Sequence, residues 1–154
     1  MSASLIYDLA PIGSIISWSD GTPRPPERFA RKLAAWKTSN SSGRLIRKQG
    51  ARYIGNHRSP ACFTIHESDY GSQGTVVLRV HRTFDVENSG LTFVVVERPP
   101  VGSCRVFDRA GEGAELVHLA ASRAAAEDWL TRHGYPRAVL EEVVVDGIEG
   151  RAAA

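Results

Sequence analysis

Cys62 and His66 are separated by three residues, and Cys104 and His118 follow further along the chain. If 61–67 is a strand, the first pair shares a face, and the second pair could complete a four-ligand zinc set. Structural zinc sites group their ligands in compact knuckles two to four residues apart, and only the first pair approaches that spacing. No metal is therefore expected; two buried thiols and two sheet histidines are. Acids at Glu67, Asp69, Asp85, Glu87 and Glu97, with His66 or His81, could hold a divalent ion for phosphodiester cleavage. Arg79, Arg82 and Arg98 lie nearby and would neutralise them as surface pairs.

Phosphate-cradling loops need closely spaced glycines between a strand and a helix, and neither G-x-G-x-x-G nor G-x-x-x-x-G-K-[ST] occurs. Gly71-Ser72-Gln73-Gly74 leads into a strand and reads as a hairpin loop. G-x-S-x-G is absent too. No catalytic residue and no cofactor is thus assigned.

What rises above this background is charge. Residues 24–52 carry nine Lys or Arg against one acid, Glu27. Residues 1–58 sum to +7 and the remainder to −5, although the whole chain is only +2. Arg28, Arg31, Lys32, Lys37, Arg44, Arg47, Lys48 and Arg52 form a candidate cationic surface, because counterion release rewards such clustering on nucleic acid. Tyr53 and His57 lie at its end and could stack on bases. Sixteen of the 19 cations are arginine, which suits bidentate contacts to phosphate or carboxylate, although a GC-rich genome gives the same ratio.

The elements that must position these residues follow from periodicity. The chain from Leu5 to Trp18 reads as two short strands broken at Pro11-Ile12-Gly13. Pro26 suits a first helical position, and Phe29, Leu33 and Trp36 fall at helical spacing up to about Thr38. That stripe is expected in the core, with Arg28, Arg31 and Lys32 opposite, and Ser39 to Gly43 is expected to be a flexible joint. Strands are then predicted over 44–48, 61–67, 75–86, 91–98, 103–108 and 115–119, with 75–86 and 91–98 paired as a hairpin through Glu87-Asn88-Ser89-Gly90. Arg82 interrupts the apolar face of 75–86, a sign of a bulge or a sheet edge. Ser122 caps a second helix running to His133, and a strand over 139–145 precedes a frayed tail at 146–154.

The expectation is a single α+β domain over 1–154, with a mostly antiparallel sheet of about six to eight short strands and two helices packed against it. A basic strand–helix part fills about 1–58, and an acidic meander with its helix fills 59–145. Phe29, Leu33, Trp36, Val76, Leu78, Val80, Phe93, Val95, Trp129 and Leu130 are expected to share one core. With no apolar run of spanning length and no signal-peptide pattern, a cytoplasmic chain with no membrane partner is expected. The favoured function is a small non-enzymatic protein that binds nucleic acid or a nucleoprotein complex. A protein-interaction module or inhibitor of a host complex, such as a mobile element encodes, ranks second with an acidic surface as partner. A metal-dependent nuclease ranks third.

Overall fold

A computed structural model describes residues 1–72 and 75–144, the side chains of 69–72 and 75–78 excepted. Three helices occur among them: α1 (Ala3–Leu9), α2 (Ala30–Ser39) and α3 (Arg123–Thr131). The strands are β1 (Ile15–Ser19), β2 (Ser41–Gln49), β3 (Arg52–Ile54), β4 (His57–Ser59), β5 (Cys62–Ser72), β6 (Thr75–Asp85), β7 (Thr92–Glu97), β8 (Cys104–Phe107), β9 (Leu116–Ala120) and β10 (Val139–Glu142). They form a five-stranded sheet in the order β6-β5-β2-β1-β7, a three-stranded sheet β10-β8-β9 and a two-stranded ribbon β3-β4. Every pairing among the described residues is antiparallel, and the architecture is mixed α+β.

One face of the large sheet carries the main core. Ile16, Trp18, Leu45, Phe63, Ile65 and Phe93 are buried there against Ala3, Ile6 and Ala10 of the α1 segment. Phe84 packs on Trp18, Phe63 and Phe93 with ring centroids 5.1 to 5.6 Å apart, offset and edge contacts worth more than their area alone. The opposite face meets the small sheet through Ile46, which packs with Phe107, Ala114 and Leu116. On the small sheet's other side, Cys104, Val106, Ala120 and Ala126 form a third cluster with Trp129 and Leu130 of α3 beside it.

Several expectations need correction. Residues 3–9 are helical rather than extended: the Ser2 hydroxyl accepts from Leu5 N–H as an N-cap, and Ala3, Ile6 and Ala10 recur at spacings of three and four. Leu5 and Leu9, both exposed, blur that periodicity in the sequence. With this short helix and the two-stranded ribbon added, the described residues hold three helices and ten strands, roughly consistent with the expected two helices and six to eight strands. The core is not one cluster, and α2 is outside it. No residue of α2 is buried; Phe29 is 42% exposed, and Leu33 and Trp36 are half-buried. Val76 and Leu78 lie outside the described side chains. Phe93 and Val95 do join the main core, while Trp129 and Leu130 belong to the third cluster.

The expected hairpin between 75–86 and 91–98 does not form either. β6 pairs with β5 and β7 with β1, at opposite edges of the sheet. The Asp85 carboxylate accepts from Glu87 N–H and from the Asn88 amide, turning the chain away from the edge. Val86 and Leu91 then pack against the main core as the chain crosses beneath it. Arg82 behaves as its position foretold: it lies on an edge strand beside a register shift between His66 and Ser68. Its Nε donates to Glu67 at 2.9 Å.

Candidate functional site

The eight cations singled out in the sequence are distributed over three places. Arg28, Arg31, Lys32 and Lys37 are exposed on α2 or beside its first turn. Pro25 and Pro26 hold the backbone extended, Phe29 N–H bonds to Pro26 carbonyl, and the helix starts at Ala30, four residues past Pro26. Its C-terminal half is fastened by polar contacts instead of apolar burial. Trp18 Nε1 donates to Thr38 carbonyl at 3.2 Å, Trp36 Nε1 to Thr22 carbonyl at 3.0 Å, and the Asn40 amide to Trp36 carbonyl at 2.9 Å and Asp20 at 3.0 Å. Hydrogen bonds from Thr22 and Asn40 hold the Asp20 carboxyl below its ordinary value. The basic N-terminal half is left without such ties.

At that end no acid of the helix itself opposes the charge. The first turn has no acidic residue, and Phe29 supplies no capping side chain. Arg28 lies 4.8 Å and Lys32 5.3 Å from the Phe29 ring centroid. Among the described residues none of the four cations is ion-paired, whereas Arg58, Arg82, Arg105, Arg123 and Arg132 each meet a carboxylate. Arg24 stands beside Glu27 at 3.8 Å, with both side chains largely exposed.

The strand cations are used internally. Arg44 Nη1 donates to Gly13 carbonyl at 2.6 Å and, with Arg105 Nε on Ile12 carbonyl at 2.6 Å, clamps the turn before β1. Arg47 is half-buried, its Nε enclosed without a hydrogen-bond partner. Lys48 lies 5.9 Å from the Tyr7 ring centroid, and burial draws its ammonium below the ordinary lysine value, against the pull of Asp8. Arg44 pairs across the sheet with His66 and Lys48 with Phe63, so the two point to opposite faces. Arg52 is exposed on the β3-β4 ribbon with Tyr53 and His57. At about 3.3 Å per residue, the nine residues of β2 set this ribbon roughly 26 Å from the α2 end of the strand.

The acids are dispersed as well. Glu67 bonds Arg82 and the Ser41 hydroxyl, Asp85 holds its turn, Glu87 meets Arg58, and Glu97 lies on β7 at the far edge. Cys62 bonds the Gln49 amide beside the main core, and Cys104 is buried in the third cluster; both are free thiols whose ionisation burial pushes up. No group of three or more His, Cys, Asp or Glu is placed to hold a metal among the described residues. Nor, among them, is any helix long and apolar enough to cross a membrane.

A model of the family described as Uncharacterised conserved protein UCP036055 matches residues 1–147. The chain belongs to this family. No curated protein and no solved structure matches it. The matched span takes in α2 and also a cleft that the sequence did not single out, where the small sheet crosses the second face of the large one. Arg44, His66 and His81 line up across β2, β5 and β6, and Glu115 and Leu116 line the hollows beside them from β9 and its approach, while the His118 ring stacks on Trp129. His66 was noted beside Cys62 and beside acids, His81 only beside acids and Arg44 only as a surface cation, because nothing local announces that a bulged register sets the three side by side. Alternation within each strand was the available signal; the strand order was not.

Proposed function

We propose that this protein binds nucleic acid through the phosphate backbone, with α2 and its approach as the contact surface. Arg28, Arg31, Lys32 and Lys37 are the positioning residues, and Arg44, Arg47, Lys48 and Arg52 are excluded from that surface by their places on β2 and the ribbon. The observation that carries the reading is a helix with three exposed, unpaired cations and no buried residue, and a fourth such cation, Arg28, just before it, where six other arginines among the described residues meet acids. Cations at a helix N-terminus oppose the helix dipole and lower stability. A phosphate drawn to the same N–H groups and guanidinium ions reverses that penalty.

Such contacts are blind to base sequence. Arg28→Ala/Arg31→Ala/Lys32→Ala should therefore weaken duplex binding alike on unrelated sequences, by fluorescence anisotropy at about 50 mM salt, with an unfolding midpoint no lower than that of the wild type. Equal affinity of wild type and triple variant would refute the assignment to α2. The exposed Phe29 ring between Arg28 and Lys32 favours a second reading, an acidic protein partner with an apolar anchor. In that case Phe29→Ala abolishes capture of the partner, and neither DNA nor RNA binds.

A further inference from the structure

Where the end of β2 meets the 109–114 loop, the turn after α1 and β10, the chain encloses a hollow of about 340 Å3. That volume lies just inside the range of sites for whole small molecules, which begins at roughly 300 Å3. Ile12, Phe107, Ala114 and Val139 make an apolar wall, and Lys48, Arg109, Glu112 and Glu141 supply the charged groups. The loop is pinned at its base, where Asp108 and Glu115 bond each other through backbone and carboxylate. It turns at Gly111 and Gly113, whose φ values of 94° and 79° favour glycine. Both acids of the hollow are engaged elsewhere: Glu141 bonds the Arg105 guanidinium at 2.9 Å, and Glu112 accepts from Gly50 N–H at 3.0 Å. Neither cation has an ion pair among the described residues. Lys48 lies 5.9 Å from the Tyr7 ring centroid, and Arg109 gives Nη2 to Gly113 carbonyl at 3.2 Å.

We infer that this hollow binds a small 2-oxo acid, with Lys48 as the amine that adds to its keto carbon and Arg109 as the partner of its carboxylate. An amine, a guanidinium and an apolar wall in one hollow match the three parts of such a molecule. The Nζ lone pair forms the C–N bond while the keto oxygen takes up a proton. The carbinolamine then loses that oxygen as water, its nitrogen gives up a proton, and an imine remains. No oxidant or reductant is consumed. Arg109 keeps N–H groups beyond the one given to Gly113, enough for the paired bonds that a planar guanidinium makes to a carboxylate. The half-buried setting of Lys48 supports the nucleophile. Burial draws its ammonium below the ordinary lysine value; Asp8 of α1 pulls against this, and Arg105 of β8 adds to it. More of the amine is then uncharged at neutral pH than on an exposed lysine.

This site is independent of nucleic-acid binding by α2, and the sequence makes it simple to test. The chain has three lysines, and Lys32 and Lys37, exposed on α2, serve as internal controls. Cyanoborohydride reduces an imine to a stable secondary amine, so the protein is incubated with pyruvate and cyanoborohydride at neutral pH and the modified lysines are located by peptide mass mapping. Lys48 should be modified saturably as pyruvate is raised, while Lys32 and Lys37 are modified only in proportion to its concentration. Arg109→Gln, a change at an exposed loop position, should raise the half-saturating concentration about tenfold. The mapping itself uses the wild-type chain and so needs no variant to fold. Modification of Lys48 no faster than that of Lys32 and Lys37, or without saturation up to about 10 mM pyruvate, would overturn the imine site. Saturation that Arg109→Gln leaves unchanged would overturn the 2-oxo acid as its ligand.

Discussion

At Gly43 a missing side chain is what allows two strands to meet. It was expected to be part of a flexible joint, yet it lies inside β2 opposite Ile16. A Cβ there would run into the His66 carbonyl and come within 2.5 Å of Ile65 Cγ2. Gly43→Ala should therefore force β2 and β5 apart and cost about 1–3 kcal/mol in urea unfolding, the range for overpacking a well-filled site. His118 gives a second residue-scale expectation. It stacks on Trp129 with centroids 4.6 Å apart, and burial, reinforced by His133 and Arg132, holds its pKa below the ordinary value. The unfolded chain then takes up the proton first as pH falls. The contribution to stability is complete above about pH 6.5 and is lost as pH drops through the lower folded value. His118→Gln should flatten the decline in unfolding free energy between about pH 7 and 5; an unchanged decline would exclude His118 as its source.

Among the elements, strand positions were legible because alternation and turn residues are local: seven predicted strand segments lie close to β2, β5, β6, β7, β8, β9 and β10. Strand partners were not legible, since a connection carrying Asn88 and Gly90 served equally for a hairpin and for the crossing that sends β7 to the far edge. Helix α2 was legible as a helix but not in its packing. Phe29, Leu33 and Trp36 have the spacing of a core stripe, while the indoles of Trp18 and Trp36 fasten the helix through backbone carbonyls. Phe63, fully buried between Phe84 and Phe93, occupies the core that α2 was expected to share. Phe63→Ala should cost about 3–5 kcal/mol, whereas Leu33→Ala should cost less than about 1 kcal/mol, well under the range for a buried leucine. Comparable losses from the two in urea titrations would place α2 back in the core.

At the scale of the whole molecule, the +7 and −5 parts of the sequence do not become two opposed faces. The fold takes Arg44 into the cleft, packs Lys48 against Tyr7, encloses Arg47 and sets Arg52 apart on the ribbon, so that of these eight cations the α2 group remains as a concentrated charge with no ion pair among the described residues. Charge in the sequence identified a basic segment; only the strand order and register reveal which cations reach solvent together. The central claim is that these four meet phosphates, and the salt dependence of duplex binding tests it most directly. Four neutralised phosphates give a slope of log K against log salt of about −3.6, and Arg28→Ala/Arg31→Ala/Lys32→Ala should reduce it to about −1. No binding at about 50 mM salt, or a slope that the triple variant leaves unchanged, would contradict the account.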